Sequence, residues 1–207
     1  MVDKIILSIL IPVTPERTDM VMPLYKELQR QYTYMKSFHS SLGDIEILID
    51  ERPRFLSGGP SIGKKRESLI KRANGKYSCF VDADDMVAGN YMESIVRAAQ
   101  SDPDVISFNA FAKLENYWTI IHMGLHFENE EARPNGFVCR RLSVVCPIRS
   151  SIAKQHDFDD INYHEDYNWL AKVLPMCKSG HSINSILYEY RHGQHSESDQ
   201  IIKAGYV

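Results

Sequence analysis

The chain has 207 residues, of which 43% are hydrophobic and 25% are charged. This composition is typical of a soluble globular protein with one large domain or two small ones. The formal net charge of -3 gives no overall attraction to nucleic acid or to an anionic membrane. The four cysteines, Cys79, Cys139, Cys146 and Cys177, form no CxxC pair. They are expected to be reduced core thiols rather than a disulfide framework or a zinc site.

Near its N-terminus the sequence has the apolar run "IILSILIPV", residues 5–13, which is too short to span a bilayer and is followed by no cleavage motif. A continuous β-branched run of this kind predicts a strand that is covered on both faces. We therefore expect no integral membrane segment and a cytoplasmic protein. A helical period follows from Arg17 to about Met35. Its predicted apolar side consists of Met20, Leu24, Leu28 and Gln31.

Strands and helices then alternate. "DIEILID" predicts a second buried strand at Ile45 to Ile49, and a helix is expected from Ser61 to Asn74, where Gly75 follows as a stop signal. "YSCFV" predicts a third strand, a helix spans about 90–100, and "DVISFNAFAKL" predicts a fourth strand. This alternation indicates an α/β domain with a mainly parallel sheet, in which ligands bind at the carboxyl ends of the strands.

The alternation of strands and helices ends at about Glu115. "YWTIIHMGLHF" and "GFVCRRLSVVCPI" have the pattern of antiparallel strands, "HEDYNWLAKVL" predicts a helix, and "SILYEYRHGQHSESD" predicts a strand that runs into a polar loop. No internal repeat or low-complexity linker separates the two parts. The prediction is one domain over residues 1–207, with halves at about 1–112 and about 113–207 that pack as one unit.

The run "DADD" places three carboxylates, Asp82, Asp84 and Asp85, directly after the third strand. Like charges so close repel one another, so a positive partner is expected among them. Carboxylates suit Mg2+ or Mn2+, which also leave positions open for phosphate oxygens. The alternative is a strand-to-helix turn with capping aspartates.

The segment "GGPSIGKKRESLIKR" places Lys64, Lys65 and Arg66 in the first turns of a helix. Cations at a helix N-terminus oppose its dipole, which suggests that they serve a bound phosphate. The alternative is a solvated basic face on which Glu67 pairs with Lys71.

Two further groups lie near the end of the chain. A helix begins at His164, Glu165 and Asp166. The two acids could supply a general base, or they could simply interact favourably with the helix dipole. His192 and His195 flank a glycine in "YRHGQHS", where one imidazole could reach a metal or both could belong to a surface loop.

The order of these pieces resembles the family 2 glycosyltransferases of the GT-A fold. The resemblance covers about residues 6–100 well and residues 145–197 more loosely. Its most specific part is the block from Gly63 to Asp85. It implies a nucleotide-sugar-binding half, an acceptor half, and a DxD motif that holds Mn2+ or Mg2+ on the diphosphate of a nucleotide-sugar, with a UDP-sugar favoured.

On the donor side, the resemblance implies that Pro12 to Glu16 form the first nucleotide-binding loop, including Thr14. It assigns Asp50 to the base of the nucleotide, Asp82 to the ribose and the metal, and Lys65 with Arg66 to the diphosphate.

For the chemistry, the resemblance implies that Asp84 is the principal metal ligand and that His192 or His195 also meets the metal. Asp166 matches the catalytic base, with Glu165 as its supporting neighbour. The implied activity is inverting transfer of a sugar to a hydroxyl. The acceptor stays open between a glycan, a lipid-linked sugar, a protein and a modified nucleobase.

The chain also departs from the family pattern. "PVTPERTD" replaces the usual opening of the first loop, and "LIDERP" stands where Asp-Asp-Gly-Ser is usual. Both departures fall in segments that the resemblance assigns to the nucleotide. A nucleotidyltransferase that makes a nucleotide-sugar is one alternative, but it normally needs a glycine-rich loop after the first strand. A GT-A-like domain that only binds a nucleotide or a partner is the other.

Overall fold

A computed structural model describes residues 5–53, 58–113, 117–131 and 135–191. Within them the strands are β1 (Ile5–Pro12), β2 (Asp44–Asp50), β3 (Tyr77–Phe80), β4 (Met86–Val87), β5 (Val105–Lys113), β6 (Trp118–Met123), β7 (Gly136–Arg140), β8 (Ile148–Arg149) and β9 (Gly180–Arg191). The α-helices are α1 (Thr18–Phe38), α2 (Ile62–Arg72), α3 (Tyr91–Ala98), α4 (Ser150–Ala153) and α5 (Glu165–Val173).

One mixed sheet joins these strands in the order β2-β1-β3-β8-β5-β6-β7, with β9 beside β5 and β4 beside β9. β1 lies between β2 and β3 and is parallel to both, as predicted. β8 is antiparallel to both β3 and β5, so β5 runs in the same direction as β1 and β3. The carboxyl ends of β1, β2 and β3 therefore meet at one edge of the sheet.

The core forms around β1, whose central residues from Leu7 to Ile11 are completely or almost completely buried. A strand in the middle of a parallel sheet is covered on both faces, which explains its unbroken apolar sequence. α1 packs against α3, and α2 packs against β1 and β2. The same apolar cluster includes Val173 of α5 and Leu187 of β9, so one core extends across both predicted halves.

Two details of the sequence interpretation are wrong. Met20 lies on the exposed side of α1 and is 38% exposed, whereas Val21 takes the inward position. β6 and β7 pair parallel to each other, although each runs antiparallel to β5. The alternating pattern of two amphipathic strands is the same in both arrangements, and only the connection between them decides the direction.

All four cysteines are free, as predicted, and three of them are buried. Cys139 of β7 is only half-buried, so it is not the core thiol that the sequence predicted. Burial raises the pKa of the Cys79 and Cys146 thiols to about 12, which keeps both protonated and unreactive. Among the helices of the described residues, none has both the length and the apolar character needed to cross a bilayer.

Candidate functional site

A narrow cleft of about 130 Å3 opens where β1 and β3 end and where α2 and α5 begin. We call it the charged cleft. Three cationic side chains and three acidic ones line it, together with Pro12, Thr14 and the apolar residues Val13, Ile62 and Ala83. The charged residues are Arg17, Lys65, Arg66, Asp82, Asp84 and Glu165. Residues from the loop after β1, the start of α2, the acidic turn after β3 and the start of α5 therefore meet at one place.

Arg66 is the centre of the charged cleft and is only 6% exposed. Its Nε donates to Glu165 Oε1 at 3.1 Å, and its Nη2 donates to Asp82 Oδ1 at 3.0 Å. Its guanidinium also lies over the ring of Phe80, 5.0 Å from the ring centroid. One side chain thus ties α2 to the end of β3 and to the first turn of α5.

The charges around Arg66 keep its guanidinium protonated. Burial by itself lowers the pKa of Arg66, but the negative charges of Asp82, Glu165 and Asp166 outweigh burial and raise the pKa overall. Burial raises the pKa of Glu165, and the charge of Arg66 opposes that rise. Arg66 and Glu165 are both buried, so neither charge is solvated by water. Their mutual attraction and well-aligned hydrogen bond must therefore offset the cost of desolvation.

The three acids of "DADD" have three different environments. Asp82 pairs with Arg66, and Asp84 faces Arg17, whose Nη1 lies 3.5 Å from Asp84 Oδ2. Asp85 is buried. It accepts hydrogen bonds from Tyr188 Oη and from the amide of Arg191, each at 2.7 Å.

Asp85 therefore fixes the end of β9 to the acidic turn and belongs to the frame of the site. Burial, together with the charge of Asp82, raises the pKa of Asp85 to about 7. The Tyr188 hydroxyl also accepts a hydrogen bond from the amide of Asp82 at 3.2 Å. One tyrosine thus holds both ends of the turn that carries Asp84.

Several buried donors in the charged cleft have no partner among the described residues. They are Thr14 Oγ1, Nε and Nη2 of Arg17, and Nη1 of Arg66. A buried N–H group that makes no hydrogen bond costs about 1–3 kcal/mol, more when it is charged. Since these donors belong to side chains that line the same cleft, their arrangement suits an anion with several oxygen atoms.

The amino terminus of α2 is not free to bind that anion. Ser61 caps the helix by accepting the amide of Lys64 at 3.1 Å and donates to Asp160 at 2.6 Å. The amide of Ile62 donates to the side chain of Asn162 at 2.9 Å. Gly63 lies so close to the preceding loop of α5 that an added Cβ would be 1.9 Å from the carbonyl oxygen of Asp159.

The basic segment therefore acts through its side chains rather than through the helix dipole. Lys65 and Arg66 are buried, which excludes the solvated basic face as their environment. Lys64 points away from this arrangement to Glu67, at 2.8 Å, and Glu67 also pairs with Lys71, as the sequence predicted.

The remaining predicted site residues lie in different places. Asp50 is 3% exposed and is held by Arg52, whose Nε donates to it at 2.9 Å. Glu16 lies in a short 3-10 helix at Pro15–Arg17. His192 and His195 lie outside the described residues, so their proposed contact with a metal stays a prediction.

Asp166 does not line the charged cleft. It lies on the border of a second cavity, of about 850 Å3, which we call the apolar cavity because most of its lining side chains are apolar. One carboxylate oxygen of Asp166 accepts the amide of Tyr167 at 2.7 Å. The neighbouring residues Glu165 and Asp166 therefore face two different spaces.

A divalent metal fits the charged cleft in only one way. Among the described residues, no group of three or more His, Cys, Asp and Glu side chains is placed to hold a metal ion. Mg2+ is commonly bound by one or two carboxylates together with the phosphate oxygens of a substrate. Asp82 and Asp84 thus fit Mg2+ or Mn2+ that binds together with a phosphate group, rather than a metal bound by protein alone.

Arg17 is the main site residue that the sequence interpretation missed. It follows "PVTPE" at the end of β1, and the carboxyl ends of parallel strands meet at one edge of the sheet. That rule applies to the loop after β1 as well as to the acids after β3, so a cation in "PERTD" was a detectable signal. The helical period that starts at Arg17 hides this signal.

No protein-family model and no curated protein matches the chain. Among solved structures, it is similar to S. aureus TarS 1–349 in complex with UDP-GlcNAc, with a TM-score of 0.66 and 14% identity over 94% of this chain. The UDP complex of TarS 1–349 gives a TM-score of 0.63 at 16% identity over 90% of the chain. A197 from STIV gives 0.53 at 12% identity, over 91% of this chain and 87% of A197.

The chain spans 61% and 60% of the length of the two TarS structures. At these identities the likeness establishes the fold alone. The fold, a mixed α/β sheet, is similar to the GT-A fold of TarS, as the sequence predicted.

Proposed function

We propose that the protein is a metal-dependent, inverting glycosyltransferase that moves a sugar from a nucleoside-diphosphate sugar to a hydroxyl group. The observation that carries the proposal is a set of buried N–H donors of Arg17 and Arg66 that have no partner in the described part of the chain. Both arginines line a cleft at the ends of the strands. The GT-A fold supports it, and the similar TarS structures contain UDP-GlcNAc or UDP. A UDP-sugar is therefore the favoured donor.

The charge balance of the cleft explains why a cation would accompany the donor. Among the described residues that line it, three cations face three acids, so the cleft is close to neutral. A nucleoside diphosphate brings further negative charge. Asp82 and Asp84 would hold Mg2+ or Mn2+, and such an ion stabilises negative charge on a leaving phosphate. Arg17 and Arg66 would donate hydrogen bonds to the remaining phosphate oxygens.

The cleft is smaller than the 300–1,000 Å3 that is typical of complete ligand sites. Its volume of about 130 Å3 is sufficient for the diphosphate, whereas the nucleoside would extend past Pro12 and Thr14 towards Asp50. Asp50 would meet the base only if the ligand displaced or joined Arg52. The position of Asp50 at the end of β2 supports a contact with the base. That contact requires Arg52 to move or to share Asp50 with the ligand.

The proposed reaction is a single displacement. The oxygen of the acceptor hydroxyl forms a bond to the anomeric carbon as the bond from that carbon to the diphosphate oxygen breaks. The electron pair of the broken bond remains on the nucleoside diphosphate, and the proton of the hydroxyl passes to a carboxylate. Attack from the face opposite the leaving group inverts the anomeric configuration.

Asp166 is the better candidate for that carboxylate. Glu165 is 5% exposed and is engaged with Arg66, so it holds the arginine in position. Asp166 is only half-buried and borders an open cavity where an acceptor could approach. A general base must reach the proton that it removes, and this requirement separates the two neighbours.

Binding can be tested by thermal unfolding in the presence of UDP, GDP and UDP-GlcNAc, each with and without Mn2+. A ligand at 100 times its dissociation constant should stabilise the protein by about 2.7 kcal/mol. We expect stabilisation that requires both nucleotide and Mn2+, and its loss in Asp84→Asn. Asp44→Asn is the matched control because Asp44 lies at the opposite end of β2 and pairs with Lys36.

Equal stabilisation of Asp84→Asn and the control would contradict the assignment of Asp84. Product analysis then separates the enzyme classes. A glycosyltransferase releases a nucleoside diphosphate from the nucleotide-sugar, whereas a nucleotidyltransferase releases pyrophosphate from a nucleoside triphosphate and a sugar phosphate. A domain that only binds its ligand releases neither.

A further inference from the structure

We infer that the apolar cavity is the acceptor site and that its ligand is an uncharged amphipathic alcohol, whose apolar body fills the cavity while its hydroxyl group lies beside Asp166. This inference rests on the proposed function, since it names the acceptor of that reaction. It selects small molecules with an alkyl or aryl body over proteins, long polar glycans and nucleic acid.

The floor of the cavity is apolar and buried. Met123 of β6, Leu142 and Leu170 of α5 line it and are 3%, 3% and 8% exposed, respectively. Its volume of about 850 Å3 lies within the range of pockets that enclose most of a small organic ligand. An apolar body inside the cavity would gain about 25 cal/mol for each Å2 of apolar surface removed from water.

Seven of the twenty lining residues are polar or charged, namely His126, Glu128, Asn129, Arg140, Arg141, Ser143 and Asp166. Four of them, His126, Glu128, Asn129 and Arg141, are exposed and form the rim of the cavity. Arg141 donates to both carboxylate oxygens of Glu128, at 3.1 and 3.2 Å, so this part of the rim is already neutralised. Deeper in, the Tyr190 hydroxyl lies 3.4 Å from Ser143 Oγ. A mostly apolar lining with placed polar groups is typical of sites for small molecules.

One wall of the apolar cavity is a turn, residues 124–127, that backbone hydrogen bonds hold in place. Gly124 donates its amide to the carbonyl of Arg140 at 3.1 Å, and the amide of Phe127 donates to the carbonyl of Gly124 at 3.3 Å. The ring of Phe127 packs on Gly124, where an added Cβ would be 2.8 Å from it. This turn places Phe127 at the cavity mouth, 40% exposed, and Tyr167 provides a second exposed ring there.

The first turn of α5 connects this cavity to the charged cleft. Glu165 lines the cleft and Asp166 lines the cavity. A hydroxyl beside Asp166 therefore lies next to the element that holds Arg66 and, through it, the proposed diphosphate position. In the transfer, that hydroxyl forms its bond to the anomeric carbon, the bond to the diphosphate breaks, and the hydroxyl proton passes to Asp166.

The test uses methyl, butyl and octyl β-glucosides, which carry the same hydroxyl groups and differ only in their apolar chain. Each ligand is added below its micelle concentration to the full chain, and displacement of the uncharged fluorophore N-phenyl-1-naphthylamine is measured. We expect affinity to rise about fourfold for each buried methylene. With an active donor, mass spectrometry should detect transfer to octyl glucoside at concentrations where methyl glucoside gives no product.

A cavity-filling variant locates the effect. Ala171 lines the cavity on the exposed face of α5, so Ala171→Trp should fill the cavity without entering the core. We expect octyl glucoside to bind it at least about tenfold more weakly, with unchanged UDP stabilisation. Ser37→Trp, on the exposed end of α1, is the matched control. Thermal unfolding of each variant establishes that it is folded.

The outcomes separate this inference from the proposed function. If UDP binds but the affinity series is flat, or if Ala171→Trp binds octyl glucoside like the control, the acceptor assignment is wrong and the donor assignment stands. If all three glucosides are glycosylated equally, the cavity is not the acceptor site. If octyl glucoside binds to the cavity and no nucleotide stabilises the protein, the proposed glycosyltransfer itself is wrong.

Discussion

The charged cleft and the apolar cavity lie on either side of the first turn of α5, and they differ in almost every physical property. The cleft has about 130 Å3 of space and is lined by ion-paired residues, whereas the cavity has about 850 Å3 and is mostly apolar. Electrostatic recognition requires donors that are fixed before the ligand arrives, which the buried ion pairs provide. Recognition of an apolar body depends mainly on the surface that it removes from water.

The comparison shows how two adjacent acids acquire different roles. Glu165 is buried and holds Arg66 at 3.1 Å, while Asp166 accepts the next amide and borders open space. A helix turns by about 100° per residue, since 3.6 residues complete one turn. Neighbouring side chains at the start of α5 therefore face different spaces. In the proposed function, this places the first in the donor site and the second beside the acceptor.

The largest expected effect follows from exchanging each acid for its amide. Asp166→Asn should reduce transfer by roughly 10²–10⁴-fold, the usual contribution of a general base, with UDP affinity near that of the wild type. Glu165→Gln should instead weaken UDP binding and lower thermal stability, because Arg66 loses a charged partner. Turnover, UDP affinity and unfolding are measured on the same preparations. Near-normal transfer by Asp166→Asn would eliminate Asp166 as the base.

The second expected effect concerns the stability of the cleft. Arg66→Met removes the cation between Asp82 and Glu165 and leaves Glu165 buried without its partner, which should cost about 3–5 kcal/mol. Arg97 is the matched control, because it is a helical arginine that pairs with Glu93 at 2.8 Å but has a side chain 54% exposed. Arg97→Met should cost less than about 1 kcal/mol.

Chemical denaturation of the two methionine variants at neutral pH measures this difference. If both variants lost the same free energy of unfolding, the buried pairs of Arg66 would matter no more for stability than the exposed pair of Arg97 with Glu93. The wild type with UDP and Mn2+ should also gain stability that Arg66→Met does not.

The smallest expected effect lies away from both regions and serves to delimit them. Asp104 precedes β5, at the edge of the sheet opposite the cleft, and accepts the amides of Lys178 and Ser179 at 2.8 and 3.1 Å. The hydrogen bond from Lys178 lowers the pKa of Asp104, against the opposing effect of burial. A lowered pKa in the folded state gives stability that is present above the unfolded pKa and is lost as pH falls through the folded pKa.

Asp104→Asn should therefore cost about 1 kcal/mol at neutral pH, and the difference from the wild type should shrink as the pH is lowered below about 4. Denaturation curves from pH 7 to pH 3 measure it. Transfer and octyl glucoside binding, corrected for the folded fraction, should be unchanged. A loss of either would show that the site extends across the sheet.

The fold was largely predictable because its signals are local. The buried run of β1 and the capping residue Ser61 of α2 each follow from neighbouring residues. The gathering of Asp82, Arg66 and Glu165 was predictable in outline, since the carboxyl ends of parallel strands meet at one edge. The parallel pairing of β6 with β7 and the inward position of Val21 were not, because a single strand or turn does not encode its partner.

By itself the sequence determined the α/β architecture, the acidic turn after β3 and the cations at the start of α2. Only the tertiary structure decided what these charges do. It buried Lys65 and Arg66 and paired Arg17 with Asp84. It also placed Asp85 where it accepts a hydrogen bond from Tyr188 and helps to hold the acidic turn. It also put Glu165 and Asp166 in different spaces. The physical reason is that the role of a charge depends on its desolvation and its partners, and distant parts of the chain supply both.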